Sequence, residues 1–126
     1  MTKECPFCKL PPERIIDSNE FGFVIRDGFP ISSGHTLIIP KRHIGSFFEI
    51  TKVERDALLT LLDNAKETID TEFQPDGFNI GINDGPSAGQ TVPHLHMHLI
   101  PRYTNDQTDP RGGVRWIIPE KAKYWD

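Results

Sequence analysis

Cysteine, methionine, tryptophan and tyrosine each occur only twice among the 126 residues. Cys5 and Cys8 are too few and too close to form a secreted disulfide framework, and in a reducing compartment such a pair points to metal or redox chemistry. Long apolar runs are also missing. None approaches the roughly 20 residues that cross a bilayer, and the opening MTKECPFCKLPPER has no signal-peptide core. We therefore expect a cytoplasmic protein without a membrane partner. Positive charge is not in excess, since 14 Lys and Arg against 18 Asp and Glu give a net charge of -4. The basic residues form no stripe, which argues against a nucleic-acid polymer as partner, although Lys41-Arg42 and Arg111 with Arg115 suit one small anion. There is no repeat and no low-complexity segment, so solenoid and linker readings fail.

Apolar residues make up 37% of the chain, charged residues 25%, and the mean hydropathy is -0.42. This balance and length fit one compact domain over residues 1–126. Residues 14–18 (RIIDS) and 21–27 (FGFVIRD) read as a hairpin, and 35–40 (HTLIIP) as a third strand closed by Pro40. Thr51 and Glu54 have capping-box spacing, which predicts a helix over about residues 52–72. Its apolar stripe is Val53, Ala57, Leu58, Leu61, Leu62, Ala65 and Ile69, a core-facing pattern. Residues 78–83 and 94–101 read as further strands joined by the loop DGPSAGQTVP. Beyond residue 102 periodicity ends, apart from a short strand near Val114.

Five histidines are present, three of them within HLHMHL. In an extended chain His94, His96 and His98 share one face, with neighbours about 6.8 Å apart, so one ligand can touch two or three rings. Two chemistries fit. Imidazoles on a strand chelate zinc or iron. Imidazole nitrogen also attacks phosphorus, dividing one hard substitution into two easier ones. The preceding Gly-rich loop allows backbone amides to approach a phosphate, as a strand-connecting turn with the same residues also would.

HLHMHLI resembles the H-φ-H-φ-H-φ-φ signature of the histidine triad superfamily, and DGPSAGQTV resembles the loop of its fragile histidine triad branch. GHTLIIPKRHI is similar to an earlier strand of the superfamily, and the resemblance covers about residues 5–101. It implies an α+β fold, a five-stranded antiparallel sheet with one long helix and a shorter one, paired as a homodimer through the long helix and an edge strand. It implies a purine nucleotide hydrolase or transferase that cleaves diadenosine polyphosphates or adenosine phosphoramidates at the α-phosphate. By this resemblance His96 is the nucleophile, His98 contacts the phosphoryl oxygens and assists departure, and His35 fixes the hydrogen bonds of the triad. Asn83 and the backbone of Gly89, Gln90, Thr91 and Val92 would hold phosphate and ribose, and Asp27 would hold the ribose. Asp27 before Gly28 also reads as a turn former. Magnesium would enter, if at all, with the substrate.

The Cys5-Pro6-Phe7-Cys8 pair also looks like a glutaredoxin site, but Pro11-Pro12 breaks the helix such a site opens. C-x-x-C suits half of a zinc site. Relatives in the superfamily complete it with two histidines, which by resemblance are His43 and His94, against the alternative of free thiols. A zinc-stabilised nucleotide-binding or scaffold protein with little turnover, and a metal-dependent enzyme with the triad as ligands, are the competing readings. Trp116 and Trp125 read as buried anchors or as walls of a base or leaving-group pocket.

Overall fold

The computed structural model describes residues 4–126. The strands are β1 (Ile15–Ser18), β2 (Gly22–Arg26), β3 (Thr36–Pro40), β4 (Gly77–Ile82) and β5 (Met97–Arg102), and the α-helix is α1 (Lys52–Phe73). They form one antiparallel sheet in the order β1-β2-β3-β5-β4. Among the described residues no helix is long and apolar enough to cross a membrane.

Thr51 and Glu54 close the capping box from both sides, and Gln74 ends α1 in the left-handed conformation ahead of Pro75. Leu58, Leu61, Ala65 and Ile69 are buried as the stripe requires, whereas Val53 is exposed and Glu54 takes the inward place. The reason is local. Glu54 accepts from the amide of Thr51 and from the Arg42 guanidinium, which holds its carboxyl well down, at about 2. Gly22 lets the helix approach closely, because a Cβ there would stand 2.8 Å from Leu58 Cδ2.

Register assigns the two faces of the sheet. Val24, Ile38, Met97 and Leu99 turn to α1 and build the main core with Leu95. On the opposite face Phe23, Ile25, Leu37 and Ile39 form a second cluster, covered by Phe7 and Leu10. Leu37 pairs with His98, which pairs on its other side with Gly81, so the cleft described below lies on this second face.

Three expectations change. The fifth strand begins at Met97 instead of residue 94, because Pro93 has no amide hydrogen and the N–H of Leu95 donates to Ile44 O rather than to β3. The shorter helix is represented among the described residues only by 3-10 turns, the longest Gly113–Ile117. That turn replaces the short strand near Val114, since Gly112 and Gly113 both adopt positive φ and fold the segment back on itself.

Candidate active site and metal centre

His96 and His98 open into a cleft of about 670 Å³ that Phe7, Asp27, His35, Asn83, Thr91 and Val92 also line. His94 does not join them. It is fully buried, and its Nε2–H donates to Pro40 O at 2.8 Å, which leaves Nδ1 as the lone-pair nitrogen. That nitrogen lies 3.3 Å from Cys5 Sγ and 3.5 Å from Cys8 Sγ, and Cys8 Sγ is 3.2 Å from His43 Nδ1.

All four donor atoms lie within 4.8 Å of one another. A tetrahedral zinc ion with Zn–S of about 2.3 Å and Zn–N of about 2.0 Å sets its donors roughly 3.3–3.8 Å apart, close to the observed spacings. The carbonyl on the far nitrogen of His94 is the support that histidine ligands ordinarily have. The residues present therefore fit a closed structural zinc site. It ties the N-terminal segment to the β3–α1 connection and to the entry of β5. Burial and the neighbouring Cys5 push the Cys8 thiol up, a preference that a bound divalent cation reverses.

The rings in the cleft are ordered by a different set of partners. His96 Nδ1–H donates to the carbonyl of His94 at 2.9 Å, leaving Nε2 with its lone pair free. The amide of Ile31 donates to His35 Nδ1 at 3.2 Å, so the proton of the His35 ring sits on Nε2 and is given to His98 Nδ1 at 2.9 Å. His98 consequently keeps its own proton on Nε2. Burial lowers the pKa of both His35 and His98, with Asp27 opposing it, a direction that favours the neutral rings the relay uses.

Asp27, His35 and His98 also bring ligand atoms within 4.8 Å of one another, with His35 Nε2 3.4 Å from Asp27 Oδ2. The Ile31 amide argues against a cation there, because it keeps the proton on the nitrogen that would have to ligate. Asp27 serves its turn as well, Oδ1 accepting from the Phe29 amide at 2.8 Å.

The loop after β4 is fixed from within. Asp84 accepts from Ser46 Oγ and the Phe47 amide, and Gln90 accepts from the Gly85 amide while donating to the carbonyls of Gly45 and Val92. Gln90 thus staples the loop and does not line the cleft. The amides of Gly89 and Gln90 are spent on Pro86 O and Gly85 O, whereas those of Thr91 and Val92 have no protein acceptor among the described residues. Phe7 and Gly81 are among the cleft residues that escaped the reading of the sequence. Phe7 lies 5.0 Å from the His96 ring, a position implied once both flanking cysteines reach His94. Gly81 leaves open space beside His98, and its place opposite Ile80 and Ile82 in the strand alternation is the signal for it.

Residues 10–105 match the model of the HIT domain. The chain belongs to the HIT family. A HIT relative, the bis(5'-adenosyl)-triphosphatase of Saccharomyces cerevisiae (strain YJM789), is 33% identical over 128 residues, covering 100% of this chain and 59% of the enzyme's own length. The crystal structure of a HIT family member from Bacillus subtilis superposes with a TM-score of 0.75 at 35% identity, over 82% of this chain and 76% of that one. A zinc-bound HIT protein of Mycobacterium smegmatis superposes with a TM-score of 0.68 at 32% identity, over 75% of this chain and 69% of the other. The HIT match stops near the start of the segment that follows β5, so residues 106–126 lie outside it.

Proposed function

We propose that this HIT protein is a nucleotide hydrolase or transferase that cleaves at the α-phosphate of diadenosine polyphosphates or adenosine phosphoramidates through a nucleotidyl-His96 intermediate. The observation that carries this reading is the His96–His94 hydrogen bond, which leaves one unprotonated imidazole nitrogen free in a nucleotide-sized cleft. Its yeast relative, named for hydrolysis of a diadenosine triphosphate, supports the substrate class.

The lone pair of His96 Nε2 attacks the α-phosphorus in line and the bond to the leaving group breaks; from a dinucleotide the nucleoside polyphosphate departs as an anion, and from a phosphoramidate the nitrogen takes a proton from solvent and departs as the neutral amine. The imidazolium so formed keeps its Nδ1–H on the His94 carbonyl. Water then attacks phosphorus, the P–N bond returns its electron pair to His96, AMP leaves, and the proton of the water passes to solvent. His98 Nε2–H and the amides of Thr91 and Val92 stabilise the charge on the equatorial oxygens. Asp27 holds the ribose and Asn83 the phosphate side. Gly89 and Gln90 act by shaping the loop.

Cys5, Cys8, His43 and His94 would hold zinc, which would supply a structural cross-link. Its thiol ligands suit a reducing, cytoplasmic setting. Magnesium enters only as a counter-ion of the substrate's phosphates. A homodimer fits β4, an edge strand whose helix-side face carries the half-exposed Ile80 and the half-buried Phe78 and Ile82.

Release of AMP from diadenosine tetraphosphate and adenosine 5'-phosphoramidate, by wild type and His96→Ala with chelator present, tests the reading. Turnover by wild type alone is expected. AMP binding without turnover by wild type favours the zinc-stabilised binding protein instead.

A further inference from the structure

Beside the catalytic cleft lies a second cavity, of about 800 Å³, whose outer wall is the segment after β5. The two cavities share Ile31, Asn79, Ile100 and Val114, and so form one trough with a waist at those side chains. Its floor is continuous. His98, Ile100 and Arg102 alternate on the cleft face of β5, about 6.8 Å apart, and lead from the triad into the second cavity.

The outer wall is ordered by its own contacts. Arg111 lies over the Trp125 ring at 4.6 Å and Arg115 over Tyr124 at 4.8 Å, while Ala122 is fully buried. Trp116 is 38% exposed, and its Nε1–H donates to Arg111 O at 2.8 Å, which fixes the indole and leaves ring surface accessible. The carboxylates of the cavity are already neutralised, Asp106 by Arg102 at 2.8 Å and Asp109 by Arg111 at 3.0 Å. Lys123 makes no ion pair within 4.0 Å among the described residues and adds a second positive charge, beyond Arg111, that acts on the Asp109 carboxylate.

An apolar wall, an immobilised aromatic ring and the Lys123 ammonium, joined to a phosphate-handling cleft, are what a second nucleotide requires. We propose that this cavity seats the leaving nucleotide of a dinucleoside polyphosphate, with its base on Trp116 and its phosphates near Lys123. The inference rests on the nucleotidyl-transfer reading above and names the larger substrate class, in which both ends of the molecule are recognised.

Two measurements test it. In a His96→Ala, Trp125→Phe chain, which retains Trp116 as its sole tryptophan, diadenosine tetraphosphate should quench the fluorescence and AMP should not. Equal quenching by AMP, or none by the dinucleotide, overturns the seat whether or not the enzyme turns over. In the catalytically intact chain Trp116→Ala should lower kcat/KM for diadenosine tetraphosphate by about tenfold and leave adenosine 5'-phosphoramidate within about twofold. Trp116→Phe should restore most of the loss, and Lys123→Gln should raise KM for the dinucleotide alone. Equal losses on both substrates overturn the proposal while leaving nucleotidyl transfer intact. If wild type releases AMP from neither substrate, nucleotidyl transfer fails, a result distinct from the quenching.

Discussion

His94 and His96 stand two residues apart, yet their rings are committed to opposite nitrogens. His94 gives Nε2–H to Pro40 O and turns Nδ1 to two thiols, whereas His96 gives Nδ1–H to the His94 carbonyl and keeps Nε2 free. The rings are chemically identical. What differs is the backbone carbonyl each one finds, and that choice decides whether the free nitrogen faces soft metal ligands or a nucleotide-sized cleft. His94 also joins the two regions, since its ring belongs to the Cys5, Cys8 and His43 donor cluster and its carbonyl orients the His96 ring.

The sharpest way to break this comparison is to remove His96. His96→Ala should lower kcat by at least about a thousandfold while AMP still binds within a few-fold of wild type, measured by single-turnover kinetics and calorimetry. Retained turnover would move the nucleophile elsewhere. On the other side, Cys5→Ser with Cys8→Ser should take zinc from about one per chain to near none and lower Tm by on the order of 10 °C, by elemental analysis and calorimetry. Unchanged zinc content would separate His94 from the metal centre.

The relay behind His98 gives a smaller effect with a defined sign. His35→Ala should cost about ten- to a hundredfold in kcat, since His98 then loses the donor that fixes its tautomer. As pH falls, protonation of His98 turns Nδ1 from acceptor to donor against His35 Nε2–H. Because burial lowers both pKa values, NMR titration of the His35 and His98 rings should place each below the ordinary 6.5, and titration of either ring at or above it would contradict the relay. The unfolded chain takes up those protons first, so stability should begin to decline as pH drops below 6.5.

Glu54 lies outside both histidine clusters and serves as the control. Glu54→Ala should cost about 1–2 kcal/mol of stability with kcat unchanged, by denaturant titration and steady-state assay. Its carboxyl is depressed to about 2, so its contribution is present above the ordinary 4.5 and is lost as pH falls toward 2.

Much of this was legible in the residues. Period-two and helical patterns located the strands and α1, because each element buries one face and the spacing records which. The resemblance grouped Cys5, Cys8, His43 and His94, and the structure brings those four donors together. Other features depend on partners distant in the chain. Spacing placed all three triad rings on one face, and only the pairing of Leu95 with Ile44 and the Pro40 carbonyl reveal why His94 is separated from the others. Amide supply in the Gly-rich loop was equally hidden, since the turn at Pro86–Ala88 consumes the hydrogens of Gly89 and Gln90. The C-terminal segment was least legible. Its order comes from arginines over aromatic rings and two glycines at positive φ, none of which produces a period.

Under the proposed mechanism, attack by His96 followed by attack by water would make two in-line displacements, each inverting phosphorus. The most direct measurement is therefore the configuration of the product when a dinucleotide with a chiral α-phosphorothioate is hydrolysed in isotopically labelled water. Net retention is expected from a nucleotidyl-His96 intermediate. Net inversion would mean that water attacks the substrate directly and that His96 is not the nucleophile.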